Sequence, residues 1–142
     1  MSIAPPPTSS APLLLDRQPF LVLDVQTTGA SPARGHLLEV AWAWVRAADV
    51  SGGAEPAVES HVVALPPGEV VPRRIEGLTG IGPDVLALAE DAARVWRRLE
   101  RALGGARPVQ ALAHLARFER SFLEDLHVRT APGRPFPLTF LC

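Results

Sequence analysis

The chain has 142 residues, and 47% of them are apolar, which is enough to build one buried core. Lys and Arg number 14 against 15 for Asp and Glu, so a strong overall attraction to a polyanion is excluded. The one cysteine, Cys142, excludes an intramolecular disulfide and a cysteine-based zinc site. The start of the chain lacks basic residues and a long apolar stretch, so we expect no membrane segment and a cytoplasmic location.

The first half of the chain predicts a tail and three strands. Residues 1–17 are rich in Pro, Ser and Thr, which predicts a disordered tail before one domain over residues 18–142. Residues 20–25 form an apolar run that ends at the turn-forming residues 27–32, and residues 37–45 and 59–65 predict the second and third strands. In the second strand Trp42 and Trp44 lie two positions apart, so both point the same way. We expect both to be buried.

The second half predicts helices around one further strand. Residues 72–80 and 83–84 predict short helical turns. A longer amphipathic helix is indicated by apolar residues three and four apart: Ala92, Val95, Trp96, Leu99 and Leu103. The arginines between them form a solvated face or, as the less favoured alternative, a phosphate-binding patch. Residues 109–113 predict a fourth strand.

The last predicted helix follows the fourth strand. It carries one apolar side, made of Leu115, Phe118, Phe122, Leu123 and Leu126. The chain ends at residues 140–142, about where a fifth strand is expected to run.

Asp24 is the first candidate for a functional side chain. It lies at the end of a buried strand, where an unpaired charge is costly and apolar residues are preferred. A metal ligand is one explanation. The other is that Asp24 caps the turn that follows, as strand-end aspartates commonly do.

Three stretches of the sequence resemble one family in the same order along the chain. Residues 24–29, Asp-Val-Gln-Thr-Thr-Gly, resemble the first motif of the DEDD family of 3′-to-5′ exonucleases, Asp-x-Glu-Thr-Thr-Gly. Residues 71–81 are similar to the family's segment that ends in Leu-Thr-Gly-Ile, and residues 113–123 resemble its second motif, Ala-His-Asn-x-x-Phe-Asp-x-x-Phe-Leu. The resemblance covers the chain from about residue 19 onward.

The resemblance implies a fold and a chemistry. The fold is a ribonuclease-H-like mixed α/β sheet with strand order 3-2-1-4-5 and flanking helices, incomplete at its C-terminal end. The chemistry is hydrolysis of phosphodiesters from the 3′ end of single-stranded DNA or RNA by two ions of Mg²⁺ or Mn²⁺, in DNA repair or replication. Asp24, Gln26 and Glu119 take the catalytic positions, with Asp24 and Glu119 as metal ligands. Substrate-binding positions fall on Thr27, Thr28, Gly29, Leu78, Thr79, His114 and Phe118.

The sequence departs from this family at several site positions. Gln26 replaces the second acid of the first motif, which removes one negative charge from a site that must hold two dications. Glu119 stands in place of Asp, Leu115 in place of Asn, and the third motif is missing. The two remaining carboxylates are expected to hold one Mg²⁺ or Mn²⁺ weakly.

The remaining acidic residues and histidines are expected to have minor roles. Glu39 and Glu76 are expected to support the site, with solvent exposure as the alternative for Glu76. The sequence predicts surface or boundary positions for His36, His61 and His127, because they lack metal-ligand spacing.

Two functional readings stay open. In the first, the chain is the amino-terminal part of an exonuclease, completed by further domains of a longer chain or by a partner subunit. In the second, it is a catalytically silent module that binds nucleic acid or protein. Gln26, Glu119 and the missing third motif favour the second reading.

Overall fold

A computed structural model describes residues 18–105 and 108–141. The predicted tail, residues 1–17, and Cys142 lie outside these residues. The elements in chain order are β1 (Phe20–Thr27), β2 (Leu37–Val45), α1 (Ala47–Ser51), β3 (Glu59–Val62), α2 (Arg73–Thr79), α3 (Pro83–Leu86), α4 (Ala92–Leu103), β4 (Val109–Leu112), α5 (Ala116–Thr130) and β5 (Leu138–Leu141). Among the described residues, no helix is both long enough and apolar enough to cross a membrane.

The strands form one mixed sheet in the order β3-β2-β1-β4-β5, which confirms the predicted topology. β1 pairs antiparallel with β2 over its whole length, and β2 pairs antiparallel with β3. β1 and β4 are parallel neighbours, as are β4 and β5. The fifth strand therefore forms within the described chain, and it places the C-terminal residues at one edge of the sheet.

The core lies between one face of the sheet and the two longest helices. Alternate residues of β1 point to this face, and Leu21, Leu23 and Val25 are all at most 5% exposed. They pack against apolar side chains of α4 and α5, namely Val95, Trp96, Leu99, Phe122, Leu123 and Leu126. The Asp91 carboxylate caps the start of α4 by accepting from two backbone N–H groups, and Gly104 ends the helix in the left-handed conformation.

The opposite face of the sheet is open at its centre. Val22, Leu112 and Leu141 occupy matching positions on β1, β4 and β5, so their side chains form an apolar row across the sheet. Val22 is 37% exposed and Leu141 43% exposed. Asp24 and Gln26 project from the same face, because they alternate with the buried residues of β1. The first-motif side chains therefore lie on the open face and not in the core.

Several predicted boundaries were wrong by a few residues. β1 continues to Thr27 because its pairing with β2 persists through an irregularity between Gln26 and Thr27. β3 ends at Val62, since Val63 pairs instead with Glu90 as an isolated bridge. β4 ends at Leu112, before the turn into α5. The short helix α1 was not predicted, and none of its residues is buried, so it leaves no apolar period in the sequence.

The expected burial was wrong at three side chains. Trp42 is buried as predicted, but Trp44 is 40% exposed and its indole N–H donates to the Ala102 carbonyl of α4, 3.2 Å away. Leu115 precedes α5 and is 60% exposed, so it lies outside the apolar side of that helix. His127 is buried, with Trp96 and Phe136 against its ring, although a surface or boundary position was expected.

Candidate functional site

Asp24 and Gln26 form a hydrogen-bonded pair at the end of β1. The Gln26 side-chain amide donates to Asp24 Oδ2 over 2.9 Å. Asp24 is exposed and Gln26 half-buried. Two carboxylates at these positions would repel each other without a cation between them, whereas an amide and a carboxylate attract. The Asp24 carboxylate therefore has a hydrogen-bond partner within its own strand.

The turn after β1 is held by the two threonines of the motif. Thr27 Oγ1 donates to the Gly29 carbonyl over 2.7 Å, and Thr28 Oγ1 accepts from the His36 backbone N–H over 2.7 Å. These bonds show that the turn is capped by its threonines, and the alternative role of Asp24 as the cap is not supported. Thr27, Thr28 and Gly29 shape the loop in this structure.

Glu119 lies on the buried side of α5. It is 3% exposed, and its Oε1 accepts from the backbone N–H of Leu115 over 3.3 Å. The bond returns the side chain to the first turn of its own helix, where anionic groups are favoured. The second oxygen, Oε2, is buried without a hydrogen-bond partner. Glu119 thus keeps the carboxylate that the resemblance implied, but one of its two oxygens is hydrogen-bonded to the backbone at the start of α5.

A shallow apolar pocket joins the turn after β1 to the start of α5. Its volume is about 520 Å³, and its lining residues are Ala30, His114, Leu115, Ala116, Arg117, Phe118 and Ser121. The structure therefore brings together two of the predicted substrate-binding residues, His114 and Phe118, beside the loop of the first motif. Phe118 is half-buried, with its ring against Phe122 at 5.2 Å between centroids.

Most residues of this pocket were missed in the sequence. Ser121 follows Phe118 by three positions on α5, which is the spacing that brings side chains together on a helix. That spacing was the signal available for Ser121, and Arg117 directly precedes Phe118 in the sequence. Ala30 carried no signal, because its place beside α5 depends on how the turn folds against a helix that is distant in the chain.

Leu78 and Thr79 do not line this pocket. Leu78 is 74% exposed on α2. Thr79 Oγ1 donates to the Ile75 carbonyl and accepts from the Ile81 N–H, so it caps the end of its own helix.

Two glutamates, Glu39 and Glu76, were expected to support the site. Glu39 accepts from the Ser60 hydroxyl of β3. Glu76 packs against Gly82, where any Cβ would lie 2.5 Å from the Oε1 of Glu76. Glu39 thus contacts β3, and Glu76 contacts the glycine that precedes α3.

The residues present do not fit a two-metal site. Such a site needs several oxygen ligands around each dication. In residues 18–105 and 108–141 no group of three or more His, Cys, Asp or Glu side chains is placed to hold an ion. Asp24 is bonded to Gln26, and one oxygen of Glu119 is bonded to Leu115. Glu119 Oε2 is buried without a hydrogen-bond partner, but the two carboxylates are fewer than two dications require.

The sheet order, the parallel pairing of β1 with β4 and the helices on one face define a ribonuclease-H-like fold. Solved structures of E. coli exonuclease I share it. The complex with a 5cy-dA13 oligonucleotide superposes with a TM-score of 0.66 at 17% identity, covering 88% of this chain and 28% of that one. The complex with a dA16 oligonucleotide and the zinc-bound complex with single-stranded DNA both give 0.64, at 18% and 19% identity, covering 80% of this chain and 24% of theirs.

The likeness to exonuclease I extends to the fold alone. The chain spans about a quarter of the length of the exonuclease I chains that it matches. No protein-family model matches the sequence. No curated protein matches it either.

Proposed function

We propose that this chain is a nuclease-fold domain that binds the 3′ end of single-stranded DNA or RNA and hydrolyses it weakly or not at all. The observation that carries the proposal is the hydrogen bond from Gln26 to Asp24. The amide of Gln26 stands where a metal-dependent nuclease would have a second negative charge. The bound strand is then held by contacts that need no metal ion.

The position of the pocket supports nucleic acid as the ligand. The pocket lies between the loop of the first motif and the start of α5, and it carries an aromatic ring, a histidine and an arginine. Unpaired bases stack on aromatic rings and guanidinium planes, while arginine also pairs with phosphate. The structurally similar exonuclease I chains were solved with dA13 and dA16 oligonucleotides, which are single-stranded ligands of this kind.

A second candidate is an active exonuclease completed by residues beyond those described. The buried, unpaired Oε2 of Glu119 favours it, because an unpaired carboxylate oxygen in the interior is costly and a cation would satisfy it. In this reading Mg²⁺ or Mn²⁺ would be held by Asp24 and Glu119, with the amide oxygen of Gln26 as an additional neutral ligand. Hydrolysis would then require further carboxylates from another domain or subunit.

Restoring the missing charge tests whether the pocket keeps the geometry of a metal site. Gln26→Glu is expected to raise Mn²⁺ affinity about tenfold, since the variant presents two carboxylates on one face of β1. Isothermal calorimetry with Mn²⁺ measures it. Gln110→Glu is the matched control, because Gln110 is also exposed on the open face, on β4, and the change in charge is the same.

Labelled single strands then test the proposed function itself. The wild-type chain is expected to bind a single-stranded dT oligonucleotide in fluorescence anisotropy and to leave its 3′ end intact in Mn²⁺ over hours. Rapid 3′-to-5′ shortening by the wild-type chain would support the second candidate and overturn the first. Absence of binding to both DNA and RNA oligonucleotides would overturn both.

A further inference from the structure

A second groove lies at the other end of the sheet from the candidate site, beside the beginnings of β4 and β5. Its volume is about 360 Å³. The apolar part of its lining comes from the end of α4 and from the segments before β4 and β5: Leu103, Pro108, Pro135, Phe136 and Pro137. Phe136 is half-buried and stacks on Trp96 with 6.3 Å between ring centroids, so the wall of the groove continues into the core. The groove therefore offers apolar contact area on a supported surface.

An ion pair lies among the lining residues of this groove. Arg134 Nη1 is 3.5 Å from Glu100 Oε1, and the Arg134 side chain is 67% exposed. A guanidinium group has five N–H donors, so one pair at this distance leaves donors for a second carboxylate. The groove thus fits an apolar segment that carries an acidic side chain next to its apolar residues.

The chain that enters β1 passes close to this groove. β1 and β4 are parallel, with Leu21 opposite Ala111, so Gln18 lies near Pro108 in the lining of the groove. Residues 13–17 directly precede Gln18 and read Leu-Leu-Leu-Asp-Arg. Five residues extend over at most about 18 Å, which keeps these leucines within reach of the groove.

We propose that residues 13–17 of the same chain dock in this groove, with leucine side chains against Phe136 and with the Asp16 carboxylate beside Arg134. The three leucines are the longest apolar run in the first 17 residues, and Asp16 is the only acidic residue there. Three consecutive leucines are unfavourable in water, and docking buries them. Because the segment is tethered beside the groove, its effective concentration there is on the order of millimolar, which favours it over the same segment of a second copy.

Disulfide trapping in the 142-residue chain tests the docking, in a Cys142→Ser background that removes the one native thiol. Leu14→Cys is combined either with Pro135→Cys in the groove or with Gln110→Cys, which is exposed on β4 two residues beyond Pro108. An undocked segment would reach both positions, whereas a docked segment concentrates its thiol at the groove. Under copper–phenanthroline oxidation we expect the intramolecular disulfide with position 135 to form about tenfold faster than that with position 110. Mass spectrometry after alkylation measures both rates.

Variants of the segment and of the groove separate the apolar from the ionic contact. Leu13→Ser with Leu15→Ser is expected to remove the preference for position 135, because the buried leucine surface is lost. Arg134→Glu is expected to slow trapping at position 135 about threefold, as for an exposed ion pair, and adding Asp16→Lys is expected to restore the rate. Arg120→Glu is the matched control, since Arg120 is an exposed, paired arginine of α5 outside the groove, and it should trap as the wild-type sequence does.

Equal rates of trapping at positions 135 and 110 would overturn the proposal. Disulfide-linked dimers in place of the intramolecular product would overturn it as well, because they would assign the groove to residues 13–17 of a second copy. Neither result would affect the proposed function, since the groove and the candidate site lie at different ends of the sheet.

Discussion

At the residue scale, the side chains at the catalytic positions implied by the resemblance are hydrogen-bonded to groups of the chain itself. Gln26 supplies a donor where the family supplies a charge, and that donor is bonded to Asp24. Glu119 keeps its charge, but one of its oxygens accepts from the backbone of Leu115. The change at Gln26 removes one negative charge and so lowers the electrostatic demand for a cation, whereas the buried Oε2 of Glu119 keeps part of that demand.

Asp24→Ala tests whether Asp24 has a structural role. Asp24 is exposed, and the turn that follows is capped by Thr27 and Thr28, so we expect the free energy of unfolding to change by less than about 0.5 kcal/mol. Asp91→Ala is the matched control, because Asp91 caps α4, and its loss should cost about 1 kcal/mol. Urea denaturation gives both values. An equal loss in the two variants would show that Asp24 stabilises the fold.

At the element scale, two sets of contacts fix the segments that connect the strands and helices. The loop from β1 to β2 folds back so closely that Gly29 and Gly35 touch through their backbones. At the far edge, Glu90 ties β3 to α4: its backbone N–H donates to the Val62 carbonyl, and its carboxylate accepts from His61, Arg94 and Arg98. Two arginines that were read as part of a solvated helix face are thus engaged in an ion-pair network.

Gly35→Ala tests the close contact in the loop. A Cβ at Gly35 would lie 2.4 Å from the Gly29 backbone nitrogen, and backbone atoms must move to admit it. We expect a loss of about 1–3 kcal/mol in the free energy of unfolding, as for overpacked sites. Gly77→Ala serves as the control, since nothing lies within 4 Å of a Cβ there in α2, and a gain of about 0.5–1 kcal/mol is expected. Urea denaturation measures both values. If neither variant changed the free energy of unfolding, the close contact between Gly29 and Gly35 would not be supported.

Glu90→Gln tests the network at the edge of the sheet. The hydrogen bond from His61, together with Arg98, lowers the pKa of the Glu90 carboxylate in the folded chain. A lowered folded-state pKa stabilises the protein above the ordinary pKa of glutamate, and this stabilisation is lost as the pH falls through the folded value. We therefore expect Glu90→Gln to lower the melting temperature at neutral pH and to match the wild type in strong acid.

The control for this pH dependence is Glu124→Gln on α5, where an exposed pair with Arg120 should contribute little. Thermal unfolding followed by circular dichroism from pH 3 to pH 8 measures the difference. If the melting temperature of Glu90→Gln stayed below that of the wild type by a constant amount across this range, the loss of stability would arise from packing and not from charge.

At the scale of the whole molecule, one face of the sheet is covered by helices and the centre of the other is open. The open face carries the apolar row of Val22, Leu112 and Leu141 beside Asp24 and Gln26. Apolar surface of this kind, next to an exposed strand edge, favours association between molecules. The candidate site and a surface for association therefore lie on the same side of the molecule.

Leu141→Asp tests the open face. Leu141 is 43% exposed at the end of the row, and a charge there would have to be desolvated in any contact made by that face. We expect the wild-type chain to self-associate with rising concentration in sedimentation equilibrium and Leu141→Asp to associate less. Val128→Asp, at a valine of α5 that is 65% exposed, is expected to behave as the wild type does. A wild-type chain that stays monomeric throughout would contradict this prediction.

The sequence by itself determined most of the helices and strands, although it did not predict α1. Apolar runs bounded by turn residues predicted the first four strands. Periodicity predicted the helix α4, because a helix with one buried face repeats its apolar residues at the period of the helix. The family motifs then implied the order 3-2-1-4-5, which the structure has. The missing charge at Gln26 was also evident, since the identity of one side chain is sufficient to show it.

Only the tertiary structure decided how those residues are used. Side-chain directions decide that Gln26 donates to Asp24 and that one oxygen of Glu119 accepts from Leu115. A contact between distant segments decides that Ala30 lies beside the first turn of α5. His127 is buried and Leu115 is exposed for the same reason. Local patterns report which face of an element is apolar, whereas the partner of a polar atom depends on side-chain directions and packing that such patterns do not give.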